Sequence, residues 1–337
     1  MKCYLFPAFA AGVLLFSGCS SKQYFEPEKT YSASVAENGY DGVITKITRD
    51  GATLADGHYI GKNGVSNLVL GEGYHFLSES DRYILAGDED GKLKIIDKQK
   101  NKTYKEITFD MPIVSASVRN GLVAYILNNN AFGLYSIRQG KKIIENRAER
   151  TFAIDARAAS PLFIDTLVVM PMLDGKLIIF DVRDPETVKV VYLSSDKVFN
   201  NIVFLSRTGD TLVAATPKKI LTLGGEGEFD YRANIAEVAI SGNRIYLFTK
   251  EGEIIKFNTL LDTIAKTKFK FAQFSAATVI GNRVYALDKQ GALIVLDTDL
   301  KKYKIYDVGE VESSVFISGN KLYKDGKVIY LDKLGYE

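Results

Sequence analysis

The feature that most limits what this chain can become is a repeat. Several segments share one order: an apolar strand, a tight turn with Gly, then a second strand closing on Asp or Asn. Asp81-RYILAGDEDGKLKII-Asp97, Asp165-TLVVMPMLDGKLIIF-Asp181, Gly242-NRIYLFTKEGEIIKF-Asn258 and Gly281-NRVYALDKQGALIVL-Asp297 are clear copies. Gly121-LVAYILNNNAFGLYSI is a weaker one, and Gly319-NKLYKDGKVIYL-Asp332 a shorter, final one. Turn glycines are expected at Gly91, Gly133, Gly175, Gly252, Gly291 and Gly326, with Gly51 in Arg49-Asp50-Gly51 as a seventh. The double gap between Gly175 and Gly252 holds Leu212-VAATPKKILTL, where Lys218-Lys219 stands in place of the glycine. Eight anchors at a spacing of roughly 40 residues describe units that cannot bury their own faces and must stack on neighbours.

Each unit has room for four short strands. In 275–307 they read Ser275-AATVI, Arg283-VYALD, Ala292-LIVLD and Tyr303-KIYD. Side chains alternate along Lys92-LKIID and Val188-KVVYL, as on a strand with two different faces. Tyr and Phe number 19 each and Trp is absent, so the large aromatics of the core are Tyr and Phe. No segment combines a helical apolar period with a cap and adequate length. Four strands in every such unit predict an all-β fold, a single β-propeller. The final copy lacks a fourth strand, and Gly42-VITKI is expected to supply it, closing the ring by pairing N- and C-terminal strands. Eight blades is the expected count and seven, if one anchor is shared, the alternative.

The N-terminus predicts the compartment. Lys2 precedes an apolar stretch from Tyr4 to Phe16, too short to span a bilayer. It ends in Leu15-Phe16-Ser17-Gly18-Cys19, which resembles the signal of bacterial lipoproteins. The resemblance implies removal of 1–18 and a lipid on Cys19. Cys3 would leave with the signal, so no thiol would remain for a disulfide or for catalysis. Ser20, where Asp often signals inner-membrane retention, implies an outer-membrane anchor with the domain in the periplasm. Residues 19–39 are polar and aperiodic and read as a flexible tether, with the propeller in 40–337.

Composition and motifs narrow the function classes. Lys and Arg total 43 against 41 Asp and Glu. Without a long basic run there is no electrostatic footprint for nucleic acid. The two histidines, His58 and His75, make a zinc site improbable on ligand count, and no Gly-x-Ser-x-Gly elbow occurs. Asp88-Glu89-Asp90-Gly91 and Gly224-Gly225-Glu226-Gly227-Glu228 read as hairpin loops rather than a calcium or phosphate loop. The expectation is a non-enzyme without cofactor, metal or small-molecule substrate.

The blade Gly242-Asn243-Arg244-Ile245-Tyr246-Leu247 is similar to those of the quinoprotein-like propellers. With its lipid anchor and single propeller, the whole chain resembles the BamB family of the outer-membrane barrel assembly machinery. It departs from that family in having no Trp. The resemblance implies a scaffold that holds the barrel assembly protein, and unfolded outer-membrane proteins, through its loops. Onto Ile154-Asp155-Ala156-Arg157-Ala158-Ala159-Ser160-Pro161 it maps a partner-binding arginine, Arg157, and an apolar contact, Ile154. Asp196 neighbours the place of the family's acidic pair. Ala156 replaces a larger apolar residue. Other classes are a different periplasmic or surface-binding propeller, such as an adhesin or envelope scaffold, and a quinone-dependent dehydrogenase.

Overall fold

The computed structural model describes residues 23–33, 39–149, 151, 155, 157–195 and 198–337. Eight sheets follow one another along the chain, as blades 1 to 8 over 44–65, 75–108, 113–147, 162–192, 204–232, 235–268, 274–307 and 316–330. Within each span the strands pair as an antiparallel meander in sequence order. Blades 1 to 7 have four strands from their own span, and blade 8 has three. Eight apolar clusters lie between the sheets, one at each interface, including that between blades 8 and 1. The ring is therefore a closed eight-bladed β-propeller. Among the described residues no helix is long and apolar enough to cross a membrane.

The repeat has a physical reading at each of its positions. Gly91, Gly175, Gly252, Gly291 and Gly326 sit at positive φ in the turn between second and third strands, where an L side chain is strained. A Cβ on Gly291 would also lie 2.0 Å from the carbonyl oxygen of Gly309. Blade 5 makes the same turn without glycine, because the Thr216 hydroxyl accepts the N–H groups of Lys218 and Lys219. The closing aspartates cap the next turn. Asp97 accepts from the amides of Gln99 and Lys100, and Asp297 from those of Lys301 and Lys302. Four residues after the first hairpin glycine come Tyr125, Tyr246, Tyr285 and Tyr323, all fully buried. In a chain without Trp these rings fill the blade interfaces. Truncating one would cost about 3–5 kcal/mol.

Three expectations need correction. Gly133 is not in a turn but inside the third strand of blade 3, Ala131–Ser136. Its missing side chain makes room for the Tyr125 hydroxyl, 2.3 Å from where a Cβ would stand, and Asn130 at φ 63° makes the turn. Gly51 lies between first and second strands, and the turn equivalent to the others holds Gly57 at φ 85°. Gly42-VITKI does not complete blade 8. Its Ile44–Ile47 is the inner strand of blade 1, paired to Ala52–Leu54. Blade 8 stays three-stranded, and the last interface closes by packing of Ile44, Leu54 and Ile60 against Tyr323 and Val328. The Tyr40 amide also donates to the Gly326 carbonyl at 3.1 Å.

The N-terminal pairing occurs elsewhere. Tyr31–Ser32 adds in parallel to the outer strand of blade 7, Tyr303–Asp307, as a fifth strand. Six residues earlier, Phe25 meets Phe269 edge-on at 5.9 Å, and Phe269 meets Tyr303 at 5.1 Å. Residues of the expected tether thus lie on the rim of blades 6 and 7 through Phe25 and Tyr31–Ser32, while Gly39 at its end is beside Gly326 of blade 8.

Candidate functional site

First strands of the blades surround the axis. Those of blades 1, 6, 7 and 8 line a cavity of about 550 Å³, which Arg49 and Arg157 also border. Arg49 leaves the first hairpin of blade 1 and reaches across the ring. Its Nη1 donates to Glu237 Oε1 at 2.7 Å, and its Nε to the Val203 carbonyl just before blade 5. Arg157 comes from the connection into blade 4. Its Nε and Nη2 grip both carboxylate oxygens of Asp155 at 2.8 Å, and its Nη1 donates to the Ala236 carbonyl in blade 6. Two guanidinium groups thus converge on the first residues of one strand, Ile235–Ser241, and tie distant blades together across the channel.

The charges settle one another. Burial opposes ionisation of Asp155, but the hydrogen bonds and charge of Arg157 outweigh it and hold the carboxyl at about 2. The same hydrogen bond raises the Arg157 pKa further. Asp50 is solvent-accessible yet enclosed by protein. That enclosure raises its carboxyl pKa, with the Ser160 hydroxyl and Arg49 acting the other way. Asn201, fully buried, clamps the Asp155 backbone by accepting its N–H at 2.7 Å and donating to its carbonyl at 3.0 Å.

Of the expected partner-binding residues, Ile154, Asp196 and the anchor Cys19 lie outside the described residues. Arg157 is half-buried, and its donors point into the chain. A fork held this way positions a loop. Sequence reading missed Arg49, Glu237 and Asn201. The one available signal was Arg49-Asp50 side by side in a hairpin turn. His75 is buried beside Lys46, and burial together with that ammonium, 3.5 Å away, presses the imidazole down to about 4. His58 lies against Asp56 at 3.0 Å. The loops at Asp88 and Gly224 are hairpin turns. Among the described residues no three His, Cys, Asp or Glu side chains gather as a metal-binding group.

Apolar side chains are also exposed on the rim. The outer strand of blade 4, Asp184–Tyr192, is a free edge. Val188, Val190 and Tyr192 stand on one side of it, with 43%, 38% and 63% of their surface exposed. Phe199 adds a further exposed ring nearby in sequence. Exposed apolar groups of this kind mark protein-binding surfaces.

No family model matches the chain. It is similar to the plasminogen-binding protein PgbB of Helicobacter pylori strains J99 and 26695. Identity to each is 29%, over 95% of this chain and 69% and 68% of those proteins. Among solved structures, BamB from Moraxella catarrhalis superposes with a TM-score of 0.68 at 16% identity, covering 89% of this chain and 98% of that one. The computationally designed protein Ika8 gives 0.64 at 15%, covering 89% and 100%. Sqt1 of Saccharomyces cerevisiae gives 0.66 at 12%, covering 89% and 98%. At these identities the structural likeness speaks for the fold.

Proposed function

We propose that this chain is a non-catalytic, lipid-anchored scaffold on the periplasmic side of the outer membrane, and that its partner is the barrel assembly protein. The observation that carries the protein-binding part is the closed ring of eight rigid sheets with exposed apolar groups on its rim. Such a body presents its surface without an ordering cost on binding. The likeness to BamB, over nearly all of that protein, supports the propeller body, and the choice of partner rests on the resemblance of the segment around Arg157. Arg157 serves this function by anchoring the connection into blade 4 to Asp155 and Ala236, so that the residues that follow meet the partner in one shape.

A second reading has its own support. The sequence similarity to PgbB spans almost the whole chain, and that protein is named for binding plasminogen. In this reading the propeller is displayed on the cell surface and holds a foreign protein.

Two measurements separate them. Tagged protein is pulled down from detergent-solubilised membranes beside an Arg157→Glu form, and intact cells are shaved with protease. The scaffold reading expects co-purification of the barrel assembly protein, its loss or weakening in the variant, and protection from protease. Absence of that protein from the wild-type eluate, with shaving of the domain and retention of immobilised plasminogen, would replace it by the surface reading.

A further inference from the structure

Resting on the lipoprotein part of that reading, we infer that the rim of blades 6 and 7 is a membrane-facing surface that contacts anionic phospholipid headgroups. Two independent observations lead there. The first is where the chain comes from. Phe25 is seated against Phe269, and Cys19 is six residues earlier. Six residues span at most about 22 Å even when fully extended. A lipid on Cys19 therefore keeps this rim within that distance of the bilayer, whatever the rest of the molecule does.

The second is the chemistry of the rim. Lys266, Lys270, Lys301 and Lys302 are exposed and have no carboxylate partner among the described residues. Next to Lys270 and Lys302 in the chain stand Phe271 and Tyr303, 38% and 54% exposed. Unpaired ammonium groups are attracted to anionic headgroups, and amphipathic rings settle at the headgroup level. The exposed acids of this rim, Asp262 and Asp299, are met by Asn258 and Lys256, whereas the neighbouring rim of blade 5 presents Glu226 and Glu228 with no cationic partner among the described residues, and an anionic surface would repel them. The rim of blades 2 and 3, on the opposite side, also carries lysines without a carboxylate partner among the described residues, such as Lys100 and Lys102, but Phe25 and Tyr31–Ser32 lie on blades 6 and 7 instead. Charge alone would leave two candidate rims, and the docked N-terminal segment chooses one.

The test uses the full lipidated protein in vesicles of phosphatidylethanolamine and phosphatidylglycerol with a quencher on the headgroups. A fluorophore is placed on Lys302→Cys in one preparation and on Lys102→Cys in another. Quenching at 302 should exceed that at 102 about fivefold. The ratio should fall toward one when Lys266→Glu, Lys270→Glu and Lys301→Glu are combined, and in about 1 M salt, where screening acts within roughly 3 Å. Equal quenching at the two positions, or stronger quenching at 102, on protein whose acylation is verified by mass would overturn the inference and leave the lipoprotein reading standing. An unmodified Cys19, with protein that fails to float with vesicles, would remove both.

Discussion

The outer edges of blades 4 and 7 are the same element of the same repeat, and the molecule treats them in opposite ways. On blade 7 the five-residue edge Tyr303–Asp307 is covered by Tyr31–Ser32, and the groove beside it is filled by Phe25. On blade 4 the nine-residue edge Asp184–Tyr192 is open, with three apolar side chains in water. Free, long, apolar edges invite pairing with another chain, and folded proteins usually cover or charge them. The contrast teaches that a propeller edge of this chain accepts an extended segment, and that the open one is available to a partner.

Breaking the covered side should have the largest effect. Phe269 is buried between blades 6 and 7 and seats both Phe25 and Tyr303. Phe269→Ala is expected to lower stability by about 3–5 kcal/mol in urea unfolding, and to release residues 23–33 to protease. Loss below about 1 kcal/mol would mean that the rim contributes little to closing this interface.

Acid should separate the axis from both rims. The imidazole of His75 is held neutral in the fold, at about 4 against an ordinary 6.5. Its contribution is complete above pH 6.5 and is lost as pH falls from there toward 4, because the unfolded chain takes up the proton first. The expected loss is roughly 3 kcal/mol, and it should vanish from the difference between pH 7 and pH 4.5 in His75→Gln. An unchanged slope in that variant would assign acid sensitivity to carboxylates instead.

The open edge should give the smallest change in stability and the most specific change in binding. Val190→Lys is expected to move stability by no more than about 0.5 kcal/mol while weakening capture of the protein partner. Full capture by the variant would shift the partner site away from blade 4.

How much of this was legible beforehand follows from the range of each cause. Second and third strands were placed correctly because an alternating run and its turn residue act within about 15 residues. Gly133 misled because a glycine needed for room and a glycine needed for φ look the same in a sequence. Its reason, Tyr125, is contributed by the adjacent strand. Arg157 was singled out, but its partners Asp155 and Ala236 lie 2 and 79 residues away, and only the nearer one was in view. Arg49 and Glu237 are separated by 188 residues, and nothing local announces their pair.

The sequence by itself determined the repeating unit and its second and third strands, because those rest on local backbone preference and on apolar alternation, while the structure settled the count at eight. Tertiary structure alone decided how the ring closes, which blade edge the N-terminal segment covers, and where each arginine spends its hydrogen bonds. These are choices among equivalent sites offered by every blade, and equivalent sites are told apart only when the ring has closed and brought distant side chains within a few ångströms.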